Sequence, residues 1–289
     1  MNVKKVNAFT DSFIGGNPAG VVLNPEAMTD KQMKHIAKTL AVSEAAFIFP
    51  SKVADYKIRF FSPEVEVDLC GHATIATFFT MAQEGYFDEK PECTVTQETK
   101  AGILPVTIYF KENVCEKVMM TQGKTVLKGI RLNKDELSKA LNTKSDQIDD
   151  SLPAQIVSTG LFTLPVCVQS FRALKIMKPD FHLIKNLCTK LGVGSIHVFT
   201  FDTIEESSTY HARVFAPLYG INEDPVTGTA NGAVSSYLRK NGIIKEDSLI
   251  CEQGDIIGRP GRVYVELHNG IVKVGGRAVL VEEKEIKVE

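Results

Sequence analysis

The chain has 289 residues, 44% apolar and 24% charged, with 33 Lys and Arg against 35 Asp and Glu for a formal charge of −2. That balance belongs to a globular protein with a core large enough for one big domain or two ordinary lobes, and it excludes a disordered or fibrous chain. Near-neutrality excludes a global field drawing in nucleic acid, and no apolar stretch approaches the roughly 18 to 20 residues of a membrane span.

In chain order, alternating apolar residues predict strands over 3–9, 20–23 and 45–49, with an amphipathic helix over 30–40, capped near Thr29, ahead of the third. Strands follow at 56–61, 94–97, 104–110 and 117–122, and a helix starting at Gly71 lies between the first two of these. The polar stretch 123–151 holds one helix, 133–141, and much loop, which marks it as the lobe boundary. Beyond it come strands at 154–158, 162–169, 195–201, 211–215, 248–252, 262–268 and 271–278, with helices at 179–191 and 228–241. Residues 203–209 read as a solvated loop or hairpin connection. The expected division is an N-terminal lobe of 1–122, to which a tail of about 279–289 can return, and a C-terminal lobe of 123–289. The first residues turn polar too soon for a secretory signal, so the expected address is cytoplasmic.

The thiols Cys70, Cys93, Cys115, Cys167, Cys188 and Cys251 are scattered without a Cys-x-x-Cys pair and read as reduced, mostly small buried hydrophobes. The six His are dispersed as well, so no metal site is expected. Gly192-Val193-Gly194-Ser195-Ile196-His197 begins like a dinucleotide fingerprint but ends on His, and Gly123-Lys124-Thr125 has Val118 where a Walker loop needs Gly.

The most informative feature is a repeat. Phe60-Phe61-Ser62-Pro63, an acidic loop, then Gly71 with Ala73 and Ala76 and a closing Gly85 parallels Val214-Phe215-Ala216-Pro217, an acidic loop, then Gly228 with Ala230 and Ala233 and a closing Gly242. The Gly-to-Gly interval of fourteen residues suits a helix of about three to four turns, small on one side, with a C′ glycine at its end. Duplication explains the shared order of parts; two unrelated strand-loop-helix units are the alternative. Each helix start leaves backbone N–H groups without intrahelical partners, and with the helix dipole these suit a carboxylate or phosphate. If pseudo-symmetry points both starts into one cleft, a small anionic substrate fits, whether the protein acts on it or only binds it.

Ionisable groups near those starts suggest chemistry. Ser43-Glu44-Ala45-Ala46-Phe47 sets a carboxylate among apolar neighbours at the head of a strand, where burial raises proton affinity and suits acid–base work; a strand-edge Glu reaching solvent is the plainer reading. His72 orients that Glu or shuttles a proton, or simply sits in a first turn. Asp224 before Pro225 is a candidate for a substrate amine, or an ordinary turn residue. Cys70 has no counterpart in Asp224-Pro225-Val226-Thr227-Gly228-Thr229-Ala230, which argues against a two-thiol racemase and leaves it as a lining residue.

Gly16-Asn17-Pro18-Ala19-Gly20, Ser43-Glu44-Ala45-Ala46-Phe47, Phe61-Ser62-Pro63, Cys70-Gly71-His72-Ala73-Thr74 and Glu223-Asp224-Pro225-Val226-Thr227-Gly228-Thr229-Ala230 together resemble the PhzF-like (phenazine biosynthesis-like) family, related in fold to diaminopimelate epimerase and proline racemase. The resemblance implies an α+β fold of two pseudo-symmetric lobes, each a curved, mostly antiparallel sheet wrapped around a central helix, with an active cleft between them. It implies a homodimeric, cofactor-independent isomerase, while the charge and the apolar patterning already lead us to expect no nucleic-acid or membrane partner. By the same carry-over Glu44 is the general acid/base that moves a proton between carbons of a small carboxylate. His72 and Asp224 position the substrate, and Asn17, Cys70, Gly71, Ala73, Gly228 and Thr229 line or bind it. Thr229 stands where that motif commonly has Ser. A racemase or epimerase of an amino or hydroxy acid, and a noncatalytic carboxylate-binding protein, are the alternative readings.

Overall fold

The computed structural model describes residues 1–25, 28–88 and 90–287. The chain divides into two compact units, one of Met1–Thr121 with Gly275–Glu289 and one of Gln122–Val274.

In the first unit β1 (Asn2–Ala8) runs antiparallel to β2 (Asn17–Val22), and β2 lies parallel to β3 (Glu44–Phe49) across a connection through α1 (Asp30–Thr39). Next, β4 (Tyr56–Phe61) pairs antiparallel with β3 and with the short β5 (Glu66–Val67), and parallel with β6 (Glu92–Thr99). Antiparallel β7 (Gly102–Lys111) and β8 (Val114–Thr121) follow, and β18 (Ala278–Glu285) returns to pair along the whole of β1. This sheet wraps α2 (Gly71–Gln83), which packs on β1, β2, β3, β7, β8 and β18. Residues 73 to 81 of α2 are all buried, as a helix without a polar face must be. The other face of the sheet is covered by α1, whose Met33, Ile36 and Ala37 join Val3, Val22, Ala45, Phe47 and Phe61 in one apolar cluster.

The second unit repeats the plan. Here β9 (Val126–Gly129) and β11 (Phe162–Cys167) flank β10 (Gln155–Ser158), both antiparallel, and β11 is parallel to β12 (Ser195–Thr200). In turn β13 (Tyr210–Ala216) pairs antiparallel with β12 and β14 (Ile221–Asp224) and parallel with β15 (Ser248–Gln253), which pairs with β16 (Gly261–His268). Strand for strand these are the pairings of β18 to β7. The wrapped helix is α6 (Gly228–Lys240), while α3 (Lys134–Leu141), α4 (Phe171–Ile176) and α5 (Phe181–Leu191) bury Leu137, Leu174, Ile184 and Leu187 on the outer face.

The central helices end alike. Gly85 and Gly242 take positive φ, and the bonds Gly85 N–H to Ala82, Tyr86 N–H to Met81, Gly242 N–H to Arg239 and Ile243 N–H to Leu238 close the paired reversal that a C′ glycine permits.

Several elements differ from expectation. The predicted run 271–278 is two strands, β17 (Ile271–Gly276) and β18, parted where the Arg277 carbonyl turns aside to accept from Phe9 N–H. Phe9 itself has φ of +65°, so β1 stops at Ala8. Both acidic loops contain a short strand, β5 and β14, and the stretch 123–151 adds β9 and a 3₁₀ turn at Ser145–Gln147 to its helix. The segment 171–176 is helical, capped by the Ser170 side chain on Ala173 N–H. Of the tail 279–289, residues 288 and 289 lie outside the described residues.

Candidate functional site

The parallel pairing of Ala19 with Glu44 fixes where β3 begins, and strand alternation sends Glu44 to the same face as Ala46 and Ile48, away from α1 and toward α2. Glu44 meets the first turn of α2 there. Its Oε2 lies 3.4 Å from His72 Nε2, and the two side chains are 18% and 11% exposed, so they are sheltered yet reachable. The Ser43 hydroxyl stands 3.4 Å from the same His72 nitrogen. Cys70, the N-cap residue of α2, brings its Sγ to 3.4 Å from His72 Nδ1 and 3.8 Å from Nε2. One donor atom each from Glu44, Cys70 and His72 falls within 4.8 Å of the others. Treating the His and Cys as dispersed overlooked this cluster, because Cys70 and His72 are only two residues apart and Glu44 arrives from another element.

Capping separates two kinds of helix. Thr29, Asn133, Ser170 and Asp180 each accept from first-turn amides of α1, α3, α4 and α5, whereas Cys70 at α2 and Thr227 at α6 make no side-chain cap. The first-turn amides of the two wrapped helices thus receive no bond from an N-cap side chain.

Gly71 begins α2, and Ala73 is fully buried within it. Asn17 starts β2 and is buried. In the second unit Asp224 ends β14 and accepts at 2.5 Å from the Thr227 hydroxyl. Gly228 opens α6, and the Thr229 carbonyl accepts from Thr159 Oγ1 at 3.5 Å.

One residue was missed altogether. Buried Gln253 of β15 donates through Nε2 to the Asp224 carbonyl at 2.8 Å and to Thr227 Oγ1 at 3.2 Å, and its Oε1 accepts from Thr227 N–H at 3.1 Å and Asn231 Nδ2 at 2.8 Å. It clamps the start of α6. Gln97 of β6 lies two residues away from the matching place in the first unit, pairing with Tyr56 as Cys251 pairs with Tyr210; it is buried too and receives a bond from Thr74 Oγ1 at 3.5 Å, while among the described residues its Nε2 has no partner. The signal was a Gln at nearly the same interval after each helix-opening Gly, in strands where a polar residue reads as solvent-facing.

Residues 6–284 match the PhzC-PhzF family, described as phenazine biosynthesis-like protein. The chain belongs to the PhzF family. A similar protein is an uncharacterized isomerase of Clostridium acetobutylicum, 37% identical over 99% of this chain and 97% of that one. The crystal structure of a PhzF-family phenazine biosynthesis protein from Bacillus anthracis is similar at TM-score 0.90 and 35% identity, over 100% of this chain and 99% of that one. A hydroxyproline epimerase from Agrobacterium vitis shares the fold alone, at TM-score 0.64 and 14% identity, over 99% and 90% of the two chains. This PhzF chain is therefore an isomerase-type enzyme on a racemase- and epimerase-like α+β fold, and among the described residues no helix is long and apolar enough to cross a membrane.

Proposed function

We propose that this PhzF-family protein is a cofactor-independent isomerase that moves a proton between carbons of a small carboxylate substrate, with Glu44 as the general acid/base. The observation that carries the reading is the Glu44 carboxylate 3.4 Å from His72 Nε2 at the mouth of a helix whose first-turn amides have no side-chain cap. A carboxylate held this way takes a proton from a carbon activated by a neighbouring carbonyl or double bond and returns it at another carbon. One well-placed group of this kind is typically worth about 10²- to 10⁴-fold in rate. His72 orients Glu44, and the amides of Gly71 and Ala73, beside Cys70 and Asn17, hold the anionic end of the substrate. By family resemblance Gly228 and Thr229 at the start of α6, and Asp224, also take part in substrate binding. By family resemblance the enzyme works as a homodimer in the cytoplasm.

The test is solvent-hydrogen exchange. The protein is incubated in deuterated buffer with a panel of small unsaturated and 2-substituted carboxylates, and label is located by NMR. Incorporation at a carbon, reduced at least about 10²-fold in Glu44→Gln, is expected. Equal incorporation in that variant refutes the role of Glu44, and tight binding with no exchange in the wild type supports a noncatalytic binding protein instead. Label confined to the α-carbon with inversion of configuration marks the epimerase alternative.

A further inference from the structure

We propose that Arg59 and Arg213 are positioning residues: each grips a glutamate of the acidic loop ahead of a wrapped helix at two points and thereby sets where that helix begins. The two arginines stand at one place in the repeat, four residues before Pro63 and Pro217. Arg59 donates from Nε and Nη2 to the two carboxylate oxygens of Glu66 at 2.8 and 2.9 Å, and Arg213 donates from the same two nitrogens to Glu223 at 2.9 and 2.8 Å. Each guanidinium also lies over the ring two residues further on, Phe61 at 4.9 Å and Phe215 at 5.0 Å. The residues at the helix starts differ between the halves, Cys70 and His72 against Thr227 and Thr229, while the grip is the same. What the halves still share is a wrapped helix without a side-chain cap, and the grip serves that shared need.

The backbone of these loops is weakly held on its own. β5 has two residues and two ladder pairs, and β14 meets β13 at two pairs separated by a register shift. So short a ladder specifies register loosely, whereas a planar Arg–carboxylate fork fixes angle as well as distance. Each fork is braced from behind: Arg213 Nη1 donates to the Leu174 and Met177 carbonyls at the end of α4, at 3.0 and 2.9 Å, and Arg59 Nη2 donates to Asp30 at the start of α1, at 2.9 Å. Ahead of each fork the tether is short. Phe61 pairs with Glu66 on one side and with Ala45, the neighbour of Glu44, on the other, and Cys70 follows Glu66 by four residues. Glu223 adjoins Asp224, and Gly228 comes four residues after Asp224. A displacement of about 1 Å at a reacting group can cost about 10²-fold in rate, so slack in either tether is felt in turnover or binding. What the helix starts act on rests on the reading of function above; how they are held does not.

The test compares Arg59→Lys and Arg213→Lys, which keep the charge and lose the fork, with Glu66→Gln and Glu223→Gln as milder versions should a lysine variant fold poorly by circular dichroism. Lys100→Ala is the control, because Lys100 pairs with the same Glu66 at 2.7 Å from a largely exposed side chain and takes no part in the fork. Amide hydrogen exchange of the full chain is read first. Protection is expected to fall at least about tenfold over residues 66–72 in the Arg59 and Glu66 variants and over 223–229 in the Arg213 and Glu223 variants, with the rest of each unit and all of Lys100→Ala as in the wild type. With the carboxylate of the panel that takes up solvent deuterium, Arg59→Lys mainly lowers kcat and Arg213→Lys mainly raises KM, each by about tenfold. Undiminished protection at the helix starts, or a loss spread evenly over the unit, overturns the inference, as do unchanged kcat and KM alongside lost protection. A wild type that labels no carboxylate defeats the functional reading, and the amide exchange then decides by itself whether the forks set the helix starts.

Discussion

The two glutamines behind the wrapped helices provide a stringent test because both are buried on a strand beside the helix and their side-chain contacts set them apart. Gln253 makes four hydrogen bonds at 2.8 to 3.2 Å and Gln97 makes one at 3.5 Å with its amide nitrogen unpaired, both among buried neighbours. Methionine matches glutamine in length and removes every polar contact. At a net value of about 1 kcal/mol per bond, less about 1 kcal/mol gained by burying the thioether, Gln253→Met costs about 3 kcal/mol. Gln97→Met loses one weak bond and relieves a buried donor without a partner, so it is expected to fall within about 1 kcal/mol of neutral. Urea unfolding followed by circular dichroism reads both, since the chain has no Trp for fluorescence. Equal destabilisation of the two variants, at unchanged denaturant slope, refutes the account of the α6 clamp.

Three further outcomes follow from the geometry, beside the Glu44→Gln exchange experiment. A Cβ at Gly20 meets Leu40 Cδ1 at 2.7 Å and Ala45 Cβ at 2.8 Å, so Gly20→Ala pushes on β3 next to Glu44 and costs about 1–3 kcal/mol by the same urea assay; an unchanged midpoint contradicts this. Burial pushes the Glu252 carboxyl up, but His211 and the amides of Ile204 and Glu205 outweigh it and hold it at about 2, below the ordinary 4.5. Such a depressed acid stabilises the fold above pH 4.5 and loses that contribution as pH falls toward about 2, so across this window the wild type is expected to lose about 3 kcal/mol more stability than Glu252→Gln. Burial pushes Cys115, Cys167 and Cys251 up to about 12 and Cys188 to about 11, so a disulfide reagent near neutral pH labels these four only after denaturation; rapid native labelling of all six thiols contradicts the packing.

Much of the architecture is legible in the sequence because its strongest signals are local. Gly71 and Gly85, like Gly228 and Gly242, bracket α2 and α6, the closing glycines in the left-handed conformation that glycine favours, and most residues between them are apolar or small. Glu44 is conspicuous at the head of an apolar strand, and its nearness to His72 follows once β3 and α2 share a sheet face. The Cys70 contact to His72 escapes a reading by ligand spacing, since it depends on the helix starting between the two residues. Strands of two to four residues such as β5 and β14 are too short to show alternation. Gln253 is hidden for the opposite reason: a buried polar side chain in a strand looks the same in sequence as an exposed one until its partners are known.

The pairing of β18 with β1, from Asn2 opposite Glu285 to Ala8 opposite Ala278, bears on synthesis. Residues 122–274 form an uninterrupted stretch whose internal partners have all been made before β18 leaves the ribosome. The flank of β1 opposite β2 stays bare until that last strand emerges. An exposed edge so early in the chain is where a nascent protein is most open to intermolecular aggregation, so a stall shortly before residue 278 leaves one unit complete and the other adhesive.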